Sequence, residues 1–242
     1  MPFYDIAKLR VEIIDPHGRT KKQAVPYLSP DQDENTKADI TIKIDEQRIL
    51  NAMTEHPELT QGDWEYMLSG SDFYTNLIKY DGILLHSSCI VVDGIAYAFS
   101  ADSGTGKSTH TQLWLKRFGD RAYMLNDDKP ALRVIDGKPY ACGTPWSGKY
   151  DYSTPKVVPL GGICFLERSK DNWIKPADTS MAVYNVFSQT VRKLGANAMN
   201  KLMDNLNLLF KLVPIYQLGC NISDEAVDCS YNAMKRDLSE FE

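Results

Sequence analysis

The sequence is poor in the residues that build metal clusters and disulfide frameworks. Its 242 residues include only five cysteines and four histidines, and no two cysteines form a Cys-x-x-Cys pair. This spacing excludes a thiolate zinc site, and an odd number of scattered cysteines argues against a disulfide scaffold. We expect reduced thiols that mostly fill the core. They are Cys89, Cys142, Cys164, Cys220 and Cys229.

Long hydrophobic runs and blocks of positive charge are also absent. No apolar run approaches the roughly 18 residues that cross a bilayer, and the first residues lack the basic and then apolar pattern of a signal peptide. The net charge is -5, and no cluster of Lys and Arg offers a surface for a polyanion. We therefore expect a cytoplasmic protein that binds neither membranes nor nucleic acids.

The sequence does contain the material for a hydrophobic core and a mixed α/β fold. With 43% hydrophobic residues, a β-rich N-terminal part with helices (1–80) is expected to pack on a larger domain (81–242) as one compact unit. Hydrophobic periodicity in the first part predicts strands over 3–14 and 38–44, and helices over 46–54 and 63–78. In the second part it predicts helices between 178 and 212, a strand over 214–218 and a last helix from Ser223.

Two Asp-Gly pairs predict tight β-hairpins. Both residues of such a two-residue turn take positive φ, which Asp and Gly tolerate. One pair, Asp93-Gly94, separates two strand-like runs, and counting outward from it places His86 opposite Ala101. The other pair, Asp136-Gly137, predicts a second hairpin of the same kind.

The segment after the first hairpin is rich in small residues and carries a single lysine. Ser100–Thr109 reads SADSGTGKST. It matches the phosphate-binding pattern Gly-x-x-x-x-Gly-Lys-[Ser/Thr], except that Ala101 stands in the first glycine position. A strand precedes the loop and a helix is predicted after it, so its backbone amides can converge on an anion at a helix N-terminus. The alternative is a glycine-rich turn with a surface lysine.

The residue types of this loop suit a nucleoside triphosphate. Lys107 supplies a positive charge to the β- and γ-phosphates, and the Ser108 hydroxyl is a hard oxygen ligand for Mg²⁺. The loop therefore predicts ATP and Mg²⁺ as cofactors. The residues expected to bind ATP are Ser103, Gly104, Thr105, Gly106, Lys107, Ser108 and Thr109.

His86, this loop and a strand ending in Asn126-Asp127-Asp128 together resemble the catalytic domain of HPr kinase/phosphorylase. They resemble the ATP-dependent phosphoenolpyruvate carboxykinases more distantly. The resemblance covers about residues 82 to 170. An antiparallel hairpin feeds the loop, whereas most nucleotide-binding α/β folds use a parallel strand reached through crossover helices. The resemblance implies a phosphoenolpyruvate carboxykinase-like P-loop fold, α/β with a mixed sheet and a helical C-terminal part.

The same resemblance implies a role for each matching residue. Lys107 and the loop amides would hold the ATP phosphates, and Ser108 and Asp128 would help to hold Mg²⁺. Asp127 would be the base on the acceptor hydroxyl, and His86 would lie beside the transferred phosphoryl group. The simpler alternatives are a solvated turn for the aspartates and a structural histidine.

No segment matches the HPr-docking segment of HPr kinases, so we expect an acceptor other than HPr. In its place stands the loop 143–151, where Trp146 is a candidate for stacking on an acceptor. Lys149 is a candidate for neutralising charge during transfer, and Asp151 for orienting metal or substrate. Arg192, on a predicted helix, is a candidate for a phosphate or carboxylate contact. The alternatives are an exposed turn and a surface charge.

These features together predict a kinase that transfers the γ-phosphate of ATP to a hydroxyl group. The acceptor is either a serine of a peptide or protein, or a small-molecule alcohol. The alternative function is a regulatory protein that binds ATP and transfers nothing, and reversal with inorganic phosphate is chemically open. A homo-oligomer is the default expectation for its assembly.

Overall fold

The computed structural model describes residues 2–33, 35–191 and 194–241. Within these ranges the chain is a mixed α/β protein with seven α-helices, a three-stranded sheet and a nine-stranded mixed sheet. The small sheet lies in the first 80 residues and the large sheet begins at Gly82.

The N-terminal part of the chain contains the three short strands of the small sheet and three helices. The strands are β1 (Phe3–Ile6), β2 (Leu9–Ile13) and β3 (Ile40–Ile42), and the helices are α1 (Gly18–Ala24), α2 (Glu46–Glu55) and α3 (Gln61–Leu77). The predicted strand over 3–14 is interrupted, because Ala7 and Lys8 turn the chain with positive φ. Neither residue type favours positive φ, so no turn is recognisable in the sequence.

The large sheet contains the strands that carry the predicted loop and the aspartates. Its strands are β4 (Gly82–Leu84), β5 (Ser87–Val92), β6 (Ile95–Ser100), β7 (Ala122–Asp128), β8 (Ala131–Ile135), β9 (Lys138–Cys142), β10 (Val157–Arg168), β11 (Trp173–Pro176) and β12 (Ile215–Cys220). The helices of this part of the chain are α4 (Lys107–Phe118), α5 (Thr179–Ser188), α6 (Ala196–Leu212) and α7 (Asp224–Met234). The main path of the sheet runs β4-β8-β9-β10-β6-β5-β7, and β12 joins β10 to β11.

Both predicted hairpins are confirmed. In the first, Asp93 and Gly94 have φ values of 50° and 83°, and Val92 pairs with Ile95. In the second, which joins β8 to β9, the turn residues Asp136-Gly137 also have positive φ. The register of the first hairpin is the predicted one, and it brings the start of β5 to the end of β6.

The directions of the strands bring several chain segments to one edge of the sheet. β10 runs parallel to β6 and to β12, while β6 and β7 both run antiparallel to β5. The carboxyl ends of β6, β7, β10 and β12 therefore meet at the same edge. The loop after β6 and the Asp127-Asp128 pair lie there as neighbours, with the start of β5 between them.

The central strands are buried on both faces, as a sheet covered by helices requires. Along β5, Cys89 and Val91 belong to the core under α5 and α6, whereas Ile90 and Val92 pack with Trp114 of α4 and with α7. A third cluster joins the small sheet to α3 and to the large sheet; it includes Ile6, Val11, Ile40, Phe73, Tyr74, Ala131, Cys142 and Trp146. The N-terminal part thus shares a core with the rest of the chain.

Among the helices of the described ranges, none combines the length and the apolar character that crossing a bilayer requires. The five cysteines form no disulfide with one another, as predicted. Cys89, Cys142 and Cys164 are buried, and Cys220 and Cys229 are half-buried.

Candidate active site

The loop between β6 and α4 has the backbone that its glycines predict. Gly104 and Gly106 have φ values of 78° and 129°, a region that side-chain-bearing residues rarely adopt. A Cβ at either glycine would meet no atom within 4 Å, so the conformation and not the available space requires glycine. Gly106 is the N-cap of α4 and provides no side-chain hydrogen bond to it. The first amides of α4 are therefore left for an anion.

Lys107, the first residue of α4, folds back over the loop. Its Nζ donates a hydrogen bond to the carbonyl of Ala101 at 2.7 Å. Burial lowers the pKa of Lys107, while the nearby carboxylates of Asp128, Asp102 and Asp127 oppose that shift. The ammonium group therefore lies between the loop backbone and three acidic side chains.

Ser108 and Asp127 are brought together although nineteen residues separate them. The Ser108 hydroxyl donates to Asp127 Oδ1 at 3.1 Å, and the Ser88 hydroxyl on β5 donates to the same oxygen at 2.9 Å. Ser88 Oγ also lies 2.9 Å from Thr111 Oγ1 of α4. Asp127 is only 8% exposed. The carboxylate is thus fixed against the start of α4 by hydroxyl groups from two elements.

This oxygen pair fits Mg²⁺ better than it fits a metal held by protein ligands alone. The residues of the described ranges include no group of three or more His, Cys, Asp and Glu side chains that could enclose a metal. Magnesium prefers hard oxygen ligands and commonly takes one or two from the protein, with the others from water and phosphate. Ser108 and Asp127 provide that number of ligands beside a loop suited to phosphate.

His86 and Asp128 form a second pair at the same edge. Asp128 Oδ1 lies 2.8 Å from His86 Nε2, and Asp128 Oδ2 lies 2.7 Å from Lys129 Nζ. Burial alone would raise the pKa of Asp128, but the hydrogen bond from His86 and the charge of Lys129 outweigh it and lower the pKa to about 2. Asp128 is therefore ionised at neutral pH.

The other nitrogen of the His86 ring is also engaged. Nδ1 lies 3.0 Å from Gln189 Oε1, and Gln189 Nε2 donates to Asp102 Oδ1 at 3.3 Å. Both ring nitrogens of His86 therefore lie within hydrogen-bond distance of a side-chain oxygen. A chain of contacts therefore links Asp102, in the loop after β6, through Gln189 and His86 to Asp128.

The two adjacent aspartates have different hydrogen-bond partners. Ser108 pairs with Asp127 and not with Asp128, which pairs with His86 instead. Successive side chains of a strand diverge, so two adjacent residues at the end of β7 reach different neighbours. Which of the two aspartates helps Ser108 to hold Mg²⁺, and which accepts the proton, remain predictions.

Arg168 and Gln189 belong to the site but were not predicted. Arg168, the last residue of β10, donates from Nη2 to the Gly104 carbonyl at 2.6 Å and from Nε to that of Thr105 at 3.3 Å. The signal that could have found it is its position at the carboxyl end of a strand parallel to β6. Gln189 follows α5, and no feature of the sequence connects it to His86.

Trp146 lies in the core and not on a solvent-facing loop. It is 1% exposed. Its ring stacks on Phe73 with centroids 4.9 Å apart, and its Nε1 donates to Ser69 Oγ at 3.0 Å. A Cβ at Gly70 would lie 2.9 Å from Trp146 Cδ1. The expectation that Trp146 stacks on an acceptor is wrong, because α3 already covers the ring.

The remaining candidates of this loop lie near the site without joining its hydrogen-bond network. Lys149 is exposed, and its Nζ lies 4.7 Å from the centre of the Tyr150 ring. Asp151 forms an ion pair with Arg19 of α1 at 2.6 Å. Their roles in binding remain predictions. Arg192 lies outside the described residues.

Comparisons with known proteins show only distant likeness to solved structures. No protein-family model matches the chain, and no curated protein sequence matches it. Among solved structures, the HPr(Ser) kinase/phosphatase from Coxiella burnetii is similar with a TM-score of 0.36 and 11% sequence identity. The likeness covers 62% of this chain and 95% of that one.

Proposed function

We propose that the protein is a Mg²⁺-dependent kinase of the phosphoenolpyruvate carboxykinase-like P-loop class, which transfers the γ-phosphoryl group of ATP to an alcohol. One observation supports the proposal most directly. The N-terminus of α4, which no side chain caps and which follows the positive-φ glycines of the loop, lies near the carboxylates of Asp127 and Asp128. A glycine-rich turn at the surface needs no such partners. The catalytic unit is residues 81–242, and residues 1–80 support it through the shared core.

The loop supplies the phosphate-binding groups. The amides of Lys107 and Ser108 at the start of α4 are available to phosphate oxygens because no side chain caps the helix, whereas the amide of Thr105 already donates to the Asp102 carbonyl at 3.2 Å. Lys107 is close enough to the loop to exchange its hydrogen bond with the Ala101 carbonyl for one with a phosphate oxygen. A charge-assisted bond to phosphate is stronger than a bond to a neutral carbonyl, so binding favours this exchange.

Ser108 and Asp127 would hold magnesium. When bound, the ion supplies positive charge that offsets the charge of the β- and γ-phosphate oxygens. Asp127 is prepared for this role, since the hydroxyl groups of Ser88 and Ser108 orient its Oδ1. The buried position of the carboxylate also keeps its orientation fixed without a ligand.

Asp128 is the residue we assign to the acceptor hydroxyl. Its carboxylate is ionised, and each oxygen retains a lone pair beyond its bond to His86 or Lys129. As the acceptor oxygen forms its bond to the γ-phosphorus, the bond from that phosphorus to the β,γ-bridging oxygen breaks and ADP leaves. The hydroxyl proton passes to Asp128. The Lys129 ammonium and the His86 ring lie on either oxygen of Asp128, next to the transferred group.

This assignment exchanges the roles that the resemblance gave to the two aspartates. The Ser108–Asp127 hydrogen bond supports Asp127 as the metal ligand, and the contact with His86 supports Asp128 as the base. The acceptor is a small alcohol or a serine side chain. Reversal with inorganic phosphate uses the same groups.

The test combines transfer with binding. Purified protein, Mg²⁺ and γ-labelled ATP are incubated with an extract of the source cell, and products are separated by size. We expect label in one fraction with the wild type, and none with Lys107→Ala or Asp128→Asn. Lys116→Ala, an exposed lysine on the same helix, is the matched control and retains transfer.

Binding measurements separate the alternatives. Lys107→Ala should lose ATP affinity, whereas Asp128→Asn should keep it. If Lys107→Ala binds ATP as tightly as the wild type, the phosphate-binding role of the loop is wrong. ATP binding that depends on Lys107 but produces label in no fraction would instead favour a regulatory protein that senses ATP.

A further inference from the structure

A cleft of about 300 Å³ lies between α3 and the chain segments next to His86 and Asp128. This volume is at the lower end of the range of pockets that hold small molecules. One wall comes from α3, in the N-terminal part of the chain, and the others come from the part that carries the candidate active site. The cleft therefore joins the two parts of the chain at the site.

Lys129 connects this cleft to Asp128. It lines the cleft, and its backbone carbonyl accepts a hydrogen bond from the hydroxyl of Tyr74, another lining residue. At the other end of its side chain, Nζ lies 2.7 Å from Asp128 Oδ2. The cleft therefore begins within the length of one lysine side chain of the Asp128 carboxylate, a distance that a small alcohol spans.

Leu84 and Val191 place the cleft on the side of Asp128 where His86 lies. Leu84 is two residues before His86, and Val191 is two residues after Gln189. The backbone amide of His86 donates to the Gln189 carbonyl at 2.8 Å, and its ring Nδ1 lies 3.0 Å from Gln189 Oε1. Two walls of the cleft thus continue into the residues that surround Asp128.

The accessible surface of the cleft is mainly apolar. Met67 of α3 is 40% exposed, and Leu84 and Val191 are half-buried. The methylene groups of Lys129 add to this surface, since its ammonium group is turned to Asp128. The aromatic residues beneath are at most 4% exposed, so they contribute little contact area, and each has its polar atom hydrogen-bonded within the protein; they are Tyr66, Tyr74 and Trp146.

We propose that this cleft binds an apolar group of the phosphoryl acceptor, about the size of a leucine side chain, while the acceptor hydroxyl lies next to Asp128. The inference rests on the proposed kinase function. Burial of the apolar group against Met67, Leu84 and Val191 is favourable, because it removes hydrocarbon surface from water. An acceptor with an amide in that place loses water from a polar group that these side chains cannot hydrogen-bond.

The reaction balances as in the general scheme. The alcohol oxygen forms a bond to the γ-phosphorus, the bond between that phosphorus and the bridging oxygen breaks, and ADP leaves. The hydroxyl proton goes to Asp128. The apolar group takes no part in the covalent step and only positions the acceptor.

Matched pairs of probes with γ-labelled ATP test this selectivity. 4-Methyl-1-pentanol and 4-hydroxybutanamide differ only in an isopropyl or a carboxamide group of similar shape. N-acetyl-seryl-leucinamide and N-acetyl-seryl-asparaginamide make the same comparison in a peptide. We expect kcat/KM for the apolar member of a pair to exceed that for the amide by at least about tenfold, since burial of two methyl groups contributes about this much. The pair that accepts label shows whether the hydroxyl belongs to a free alcohol or to a peptide serine.

Variants of the cleft identify the cause of the preference. Met67→Gln replaces the thioether by an amide at an exposed position, so the fold should be retained. It should raise KM for the apolar probes by about three- to tenfold and leave KM for ATP unchanged. Val191→Thr replaces a methyl group by a hydroxyl and should raise the same KM.

The control is Met203→Gln, the same substitution at a methionine of α6 that is 37% exposed and does not line the cleft. It should change neither KM. Equal transfer to both members of each pair, better transfer to the amides, or an unchanged KM in both cleft variants would overturn the proposal.

The outcome remains decisive if no probe accepts label. Binding of both members of each pair to the protein with ADP and Mg²⁺ is then followed by saturation-transfer NMR of the probe. Binding of the apolar member that Met67→Gln weakens supports the cleft, and absence of a preference for the apolar member overturns it. Failure of the kinase function itself is recognised separately, because ATP binding would then not depend on Lys107.

Discussion

The Ser108 hydroxyl lies 3.1 Å from the Asp127 carboxylate and donates a hydrogen bond to it. This contact joins the start of α4 to the end of β7, and it gives Asp127 surroundings different from those of the adjacent Asp128. Asp127 faces the hydroxyl groups of Ser88 and Ser108, whereas Asp128 faces His86 and Lys129. Substitution of each aspartate should therefore have a different effect on the reaction.

Asp127→Asn should weaken the binding of magnesium. The amide keeps the hydrogen-bond acceptor but loses the negative charge, so the Mg²⁺ concentration for half-maximal activity should rise at least about tenfold. Saturating Mg²⁺ should recover most of the rate. Titration of activity with Mg²⁺ at fixed ATP measures this shift.

Asp128→Asn should lower kcat and leave ATP affinity within about twofold. Loss of a general base typically lowers the rate by about 10²- to 10⁴-fold. Single-turnover transfer and direct ATP binding distinguish this result from a loss of binding. If Asp128→Asn needs more Mg²⁺ and Asp127→Asn does not, the two roles are reversed.

Arg168→Ala should reduce ATP affinity by about tenfold. Arg168 donates two hydrogen bonds to carbonyls of the loop, which holds its amides in position before phosphate arrives. Loss of these bonds adds an ordering cost to binding. Calorimetric titration with ATP and Mg²⁺ gives the affinity.

The control for Arg168 is Arg117→Ala. Arg117 lies near the C-terminal end of α4 and forms an exposed ion pair with Asp228 of α7. Such surface pairs contribute little. It should bind ATP as the wild type does. An unchanged affinity in Arg168→Ala would show that the loop keeps its conformation without the arginine.

The loop and the hairpins were predictable because their signals are local. Asp93-Gly94 and Asp136-Gly137 specify turns by their own φ preferences, and Gly104 with Gly106 specify the loop in the same way. The helix after the loop follows from its spacing. Each of these features depends on residues that are neighbours in sequence.

The partners within the site were not predictable, because they depend on how distant segments meet. Arg168 reaches the loop only because β10 lies next to β6. Gln189 contacts His86 although the two residues are 103 positions apart in the sequence. The choice of Asp127 over Asp128 as the partner of Ser108 depends on the direction of two side chains at a strand end. None of these relations leaves a periodic pattern in the sequence.

For Trp146, in contrast, a local sequence pattern led to a wrong prediction, namely that the side chain is exposed. A segment with Gly, Pro, Ser and Lys is typical of a surface loop, but α3 packs over its tryptophan. Trp146→Ala should therefore destabilise the protein by about 3–5 kcal/mol, as large-to-small substitutions of buried aromatics do. Urea unfolding measures the change.

A binding role for Trp146 would give a different pattern. Trp146→Phe keeps most of the packing, so it should cost less stability than Trp146→Ala and leave KM for the acceptor unchanged. A large rise in that KM in a stable Trp146→Phe variant would restore the indole as a substrate contact.

His110 should make the stability of the protein depend on pH. It is 3% exposed on α4, and its Nε2 lies 3.1 Å from the Nε1 of Trp114, which donates to it. Burial lowers the pKa of His110 to about 4 from its ordinary value of 6.5. Above pH 6.5 neither the folded nor the unfolded chain protonates this residue, so its full contribution to stability is present.

Between pH 6.5 and 4 the unfolded chain takes up a proton at His110 that the folded protein does not. The free energy of unfolding should therefore fall with decreasing pH by about 1.4 kcal/mol per unit, to a total loss of about 3 kcal/mol near pH 4. His110→Gln removes this component and keeps the other titrating groups. Urea unfolding of both proteins at several pH values should give a smaller slope for the variant in this window, and equal slopes would mean that the buried imidazole is not held neutral.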